Sequence, residues 1–229
     1  MCGIVGYVGQ RSASEVVLGG LARLEYRGYD SAGIAIVVPG NSLVSHKKAG
    51  KLSVLRDELA ANPLAQGSTG IGHTRWATHG PPTDANAHPH LADGGKLALI
   101  HNGIIENFDE LKSELQAQGE QFHSDTDSEV AAVMLGRAFQ DTQDLTLAMR
   151  AVVARLEGAF TLLGVHQDQP DVVVGARRNS PLVVGLGQGE NFLGSDVAAF
   201  VAYTDKAMAL GQDQIVTITP DSVTITTFE

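Results

Sequence analysis

The chain has 229 residues, 43% of them hydrophobic and 5% aromatic, with 26 glycines and a formal net charge of -10; its mean hydropathy is +0.01 and its isoelectric point about 5.2. This balance suits a soluble globular fold with one sizeable core, and the glycine content argues against a long helical bundle, since each interior glycine weakens a helix by about 1 kcal/mol. The acidic balance disfavours a nucleic-acid partner, which needs clustered Lys and Arg, and no run approaches the ~18 apolar residues of a membrane span.

The N-terminus lacks the basic and long apolar regions of a secretory leader, so a cytoplasmic protein acting on a small molecule is expected. Ile4–Val8 is an apolar run beside glycines and reads as a buried strand starting almost at the chain end. Ser12 and Glu15 have the capping-box spacing, and Val17, Leu18, Leu21 and Leu24 follow at helical intervals, which predicts a helix to about Tyr26. Ile34–Val38 and Leu43–His46 flank Pro39-Gly40-Asn41, a hairpin signal. Val54, Leu55 and Leu59 mark a short helix, Thr69–Arg75 a strand, and residues 76–95 a loop rich in Pro, Gly, His and Asn. Lys96–Ile100 reads as a strand running into His101-Asn102-Gly103. Helices are predicted near Ile105–Gln118, Ser128–Gln140 and Leu145–Leu156. Short β-branched strands follow at Phe160–Val165, Val172–Ala176, Leu182–Leu186, Ile215–Thr219 and Val223–Thr227. Two clusters of strands with helices between them predict an α+β layered sandwich, two sheets face to face with helices outside, in one domain over residues 1–229.

The sharpest chemical feature is Cys2, the only cysteine. Removal of Met1 would place a thiol and a free α-amine on one residue, with ordinary pKa values of about 8.5 and about 7.7 to 8.0, so that proton transfer between them is easy near neutral pH. A thiolate nucleophile for an amide carbonyl follows, against the plain reading of a small buried residue at a strand start. His73-Thr74-Arg75-Trp76-Ala77-Thr78-His79-Gly80 sets a guanidinium, a hydroxyl and an imidazole together where a strand ends. There Arg75 can grip a carboxylate bidentately, Thr78 and His79 can donate to it, and Trp76 can shield it. His101-Asn102-Gly103 offers a side-chain amide beside a backbone N–H for an oxyanion, although Asn-Gly is also a common turn dipeptide. Asp127 lies in the acidic stretch Asp125-Thr126-Asp127-Ser128-Glu129, which suits either a helix cap or an ammonium ligand. Arg27 suits a helix C-terminus. His88-Pro89-His90 alone is a weak metal signal, so no metal and no cofactor are expected, and these histidines read as hydrogen-bonding loop residues.

Five strings in order, Cys2-Gly3-Ile4-Val5-Gly6, Glu25 through Gly33, His73 through Gly80, Asn86 through His90 and His101 through Asn107, closely resemble the N-terminal glutaminase domain of the glucosamine-6-phosphate synthase family, a class II glutamine amidotransferase. The resemblance covers nearly the whole chain. It implies an N-terminal-nucleophile hydrolase fold, a four-layer αββα sandwich. It also implies that Cys2 attacks the L-glutamine side-chain amide, that Asn102 and the Gly103 N–H form the oxyanion hole, and that Arg75, Thr78 and His79 hold the α-carboxylate. Asp127 would pair with the ammonium, Trp76 would gate ammonia, and Arg27 would lie near the nucleophile. The family's sugar-phosphate-binding isomerase half has no counterpart before Glu229, so the expected products are glutamate and ammonia, with transfer to fructose 6-phosphate only in a full-length enzyme, and a monomeric fragment. Amidophosphoribosyltransferases also begin with this cysteine, but a single cysteine excludes a cysteine-held iron–sulfur cluster. Asparagine synthetases are more distant. A silent glutamine-binding domain, or a chain blocked by retained Met1, remains the alternative to an active glutaminase.

Overall fold

The computed structural model describes residues 2–40, 42–77 and 80–229. Strand β1, Gly3–Val8, is followed by helix α1, Ala13–Arg23, whose N-cap Ser12 accepts from the Glu15 N–H as the capping-box spacing predicts. The helix is shorter than expected, because Glu25–Arg27 tightens into a 3₁₀ turn. The hairpin β2, Ser31–Val38, and β3, Ser42–Ala49, leads to α2, Leu52–Ala61, and β4, Thr69–Arg75. Of the hairpin turn, Asn41 lies outside the described residues.

The second half departs from expectation at three places. Within the loop assigned to residues 76–95, His90–Ala92 forms a short strand, β5, paired with β6. Strand β6 runs Leu97–Ile105, so Asn102-Gly103 lies inside a strand rather than a turn, and Ile105 ends that strand instead of opening a helix. Helices α3, Phe108–Ala117, α4, Asp127–Thr142, and α5, Leu145–Val153, precede β7, Gly158–His166, and β8, Val173–Arg178. Then come β9, Val183–Leu186, β10, Asn191–Gly194, and β11, Ala207–Ala209, the last two unpredicted, followed by β12, Gln214–Ile218, and β13, Val223–Thr227. Both unpredicted strands are very short, and β11 is fully exposed, so neither carries the alternation that marks a half-buried strand.

The strands form a seven-stranded sheet, β11-β9-β10-β1-β4-β2-β3, and a six-stranded sheet, β13-β12-β8-β7-β6-β5, with antiparallel neighbours throughout. The two-residue period of a strand decides which layer each side chain enters. In β1, Ile4 and Val8 join Ala98, Ile100 and Leu163 in the core between the sheets. Val5 and Tyr7 face the other way, onto Val16, Val17 and Leu21 of α1 and Leu55 of α2. On the far side, Leu97, Leu99 and Leu162 pack beneath Val130, Leu135 and Met149 of α4 and α5. Three apolar layers between helix, sheet, sheet and helix make the αββα sandwich expected. Among the described residues no helix is long and apolar enough to cross a membrane.

Candidate active site

The same alternation aims the polar residues at the sheet ends. In β6, Ala98 and Ile100 point between the sheets, so Asn102 does too, while His101 points with Leu97 and Leu99 towards α4. Asn102 thereby reaches the start of β1 and donates from Nδ2 to the Cys2 carbonyl oxygen at 3.3 Å. In β4, Ile71 packs between the sheets, and His73 and Arg75 follow it at spacings of two. His73 Nε2 meets the His101 carbonyl oxygen at 2.8 Å, tying the end of one sheet to the other.

Cys2 is buried, and the Trp76 backbone N–H donates to its Sγ at 3.2 Å. Burial pushes the thiol pKa up; the Trp76 N–H and the Arg75 guanidinium push it back down by favouring the thiolate. Cys2, Arg75, Trp76, Asn102, Gly103 and Asp127 line one cavity of about 230 Å³ between the sheet ends, together with His88, His101 and Ser128. The sequence-expected residues Cys2, Asn102, Gly103, Arg75, Trp76 and Asp127 are thus brought together from four segments far apart in the chain. Thr78 and His79, assigned to the same site, lie outside the described residues. Arg27 does not line this cavity: its buried guanidinium contacts the Ser195 carbonyl oxygen at 3.3 Å and Asp196 Oδ2 at 3.4 Å.

Each lining residue has a local reason for its place. Gly103 holds φ at +129°, and a Cβ there would overlap the Ala159 carbonyl oxygen of β7, so only glycine fits beside that strand. Arg75 donates to the carbonyl oxygens of Gly80 and Pro81, both at 3.2 Å, which shapes the loop leaving β4. That loop is pinned again where Asn86 Nδ2 donates to the Pro81 carbonyl oxygen at 3.0 Å and Asn86 Oδ1 accepts from the Asp125 N–H at 2.9 Å. The Ala77 N–H donates to Asp30 Oδ2 at 2.8 Å. Trp76 is 45% exposed at the cavity mouth and meets Tyr29 edge to face, centroids 5.4 Å apart. Asp127 is the first residue of α4 and accepts the Ile105 N–H at 2.8 Å, so it joins the helix N-terminus to the end of β6.

Sequence reasoning missed the imidazole cluster behind this wall. His73 and His88 stack with centroids 4.1 Å apart, and His90 meets His88 edge to face at 4.8 Å. His88 Nε2 and His101 Nδ1 both bond Ser128 Oγ, at 2.8 and 2.9 Å, and His90 Nε2 bonds Thr126 Oγ1 at 2.9 Å. All four rings are buried; His88 is a hydrogen-bonding loop residue as expected, whereas His90 makes its hydrogen bond from the first position of strand β5. Burial depresses the basicity of three of them, to about 3 for His73 and to well below the usual imidazole value for His88 and His90. Among the described residues no group of three or more His, Cys, Asp or Glu side chains is arranged to hold a metal ion. The usable signal was the strand period, which puts His101 opposite α4 once β6 is continued through Asn102.

The profile of a glutamine amidotransferase domain family matches residues 56–225. The chain is 68% identical over 228 residues to a protein of Leifsonia xyli subsp. xyli named glutamine–fructose-6-phosphate aminotransferase [isomerizing], covering all of this chain and 37% of that one. It is 61% identical over 229 residues to the protein of the same name in Streptomyces coelicolor, again covering 37% of it. The chain therefore spans less than two fifths of the curated relatives it matches. Among solved structures it superposes on the glutamine phosphoribosylpyrophosphate amidotransferase of B. subtilis with a TM-score of 0.84 and 27% identity, over all of this chain and 49% of that one. A structure titled as the allosteric regulatory enzyme of purine biosynthesis gives 0.85 and 28%, also over 49% of its length.

Proposed function

The chain belongs to the glutamine amidotransferase domain family, and on that premise we propose that it hydrolyses the side-chain amide of L-glutamine to glutamate and ammonia, with Cys2 as nucleophile. One observation carries this reading: the single cysteine sits on the wall of a cavity that also holds an amide donor, a guanidinium and a carboxylate, the three groups that glutamine needs.

In the proposed reaction Met1 is removed, and the α-amine of Cys2 takes the thiol proton. Sγ bonds to the amide carbon, and the charge that collects on its oxygen is met by Asn102 Nδ2 and the Gly103 N–H. The tetrahedral intermediate collapses with the C–N bond broken, the amine returning a proton to the departing ammonia. Water attacks the resulting thioester, restores the thiol and releases glutamate. Arg75, with Thr78 and His79, takes the α-carboxylate, and Asp127 the α-ammonium. Trp76 at the mouth controls the exit of ammonia, and Arg27 supports the strand end near the nucleophile through residues 195 and 196.

By extension from the named relatives, a chain continued by a second half would pass ammonia to fructose 6-phosphate, forming glucosamine 6-phosphate. The domain of residues 1–229 alone would act as a cytoplasmic, monomeric glutaminase without cofactor, membrane or nucleic-acid partner. The burial that raises the Cys2 pKa favours a second reading, a domain that binds glutamine without turning it over. Intact-mass spectrometry with an ammonia-release assay decides between them: a mass lacking Met1 together with glutamine-dependent ammonia supports the glutaminase, and correctly processed protein that binds glutamine but releases none supports the silent domain.

A further inference from the structure

Ser128 is buried at the second residue of α4, where the capping role is already filled by Thr126, whose side chain accepts the Glu129 N–H. The Ser128 hydroxyl is therefore not needed to start the helix, yet it has three polar partners. His88 Nε2 lies 2.8 Å away, His101 Nδ1 2.9 Å and Asp127 Oδ1 3.3 Å.

A hydroxyl has one proton to give and two lone pairs to offer. The carboxylate of Asp127 can only accept, so it takes the proton, and both imidazoles must donate to the oxygen. This fixes the proton of neutral His88 on Nε2 and gives His101 a proton on Nδ1. On the other side of the carboxylate, Oδ2 already accepts the Ile105 N–H at 2.8 Å. Oδ2 of Asp127 is thus held at the end of β6, while Oδ1 accepts from Ser128 and lies 3.6 Å from His101 Nδ1.

We propose that Ser128 is a positioning residue for the α-amino group of the substrate, holding Asp127 in its ammonium-binding orientation through a hydroxyl that His88 and His101 set in place. The proposal rests on the glutaminase reading and deepens it: selection for an α-amino acid over the same chain without its amine depends on a residue that does not itself touch the amine. Loss of the hydroxyl takes a donor from Oδ1, where the His101 Nδ1 contact is longer at 3.6 Å, and leaves the His88 Nε2 and His101 Nδ1 protons facing the gap, so the carboxylate is held less firmly and recognition of the ammonium suffers while the rest of the cavity stands.

The test uses calorimetric binding of two probes, L-glutamate and glutarate, which differ by the α-amine alone, to protein lacking Met1. The wild type is expected to prefer L-glutamate. Ser128→Ala is expected to weaken L-glutamate by about tenfold and to leave glutarate within about twofold. Equal weakening of both probes, or an unchanged preference, overturns the proposal. Should Ser128→Ala fail to fold by circular dichroism, Ser128→Thr, which keeps the hydroxyl, carries the test: the wild-type preference retained supports the role, and its loss overturns it. A processed wild type with no Cys2-dependent ammonia release sinks the glutaminase reading instead, so the two failures are distinguishable.

Discussion

The backbone N–H of Trp76 points at the sulfur of Cys2 from 3.2 Å, so the residue that shapes the cavity mouth also favours the thiolate that burial disfavours. Serine at position 2 would accept the same N–H, and the fold should tolerate it. Cys2→Ser is accordingly expected to cut glutamine-dependent ammonia release by at least about a thousandfold while the urea midpoint stays at the wild-type value. Retained turnover would exclude Cys2 as nucleophile.

Asn102 and its neighbour separate chemistry from folding. Asn102→Ala removes one oxyanion donor and should lower kcat by about a hundredfold to a thousandfold with a smaller change in KM, read by steady-state ammonia release. Gly103→Ala, forced to φ +129° and into the Ala159 carbonyl, should instead lower stability by about 2 kcal/mol or more, read by urea denaturation. A stable Gly103→Ala protein would mean that β6 and β7 are further apart than described.

Much of this was legible in the sequence, for different reasons in different places. Ser12 and Glu15 announce α1, and β4 has the bounds Thr69–Arg75 expected of it. Asn102-Gly103 was harder, because the dipeptide's local preference for a turn is overridden by pairing with Thr161 and Phe160. The convergence of Cys2, Arg75, Asn102 and Asp127 came from family resemblance, since no local pattern says which strand ends meet. Ser128 and the stacked imidazoles of His73 and His88 were invisible because their meaning lies in pairings across two sheets and a helix.

Stability should depend on pH through the buried histidines. His73 has its pKa lowered to about 3 in the folded state, against an ordinary value near 6.5 in the unfolded chain. Between those values the unfolded state binds more protons, so this contribution is fully present above about pH 6.5 and is lost as pH falls towards 3. His88 and His90 are shifted in the same direction by the same burial. Urea midpoints measured from pH 7.5 to pH 4.5 should fall, and His73→Phe should flatten that fall; a midpoint indifferent to pH would contradict neutral, buried rings.

A network at the other end of β1 serves as a control. The Tyr7 hydroxyl donates to Glu190 at 2.8 Å and accepts the Arg11 N–H at 3.0 Å, and Arg11 pairs with Glu190 at 3.0 Å. Burial and the carboxylate push the Tyr7 pKa up to about 12. Tyr7→Phe should cost about 1 to 3 kcal/mol in urea denaturation and leave KM for glutamine unchanged. A raised KM would show that the strand's far end is felt at Cys2.

The central place of β1 also sets an order of events during synthesis. Its Val5 pairs with Gly72 on one side and with Gly194 on the other. Strand β1 therefore acquires its β10 neighbour only after the chain has been made as far as residue 194. Until then the segment bearing the sulfur has an open flank, and the cavity wall beside Cys2 is incomplete.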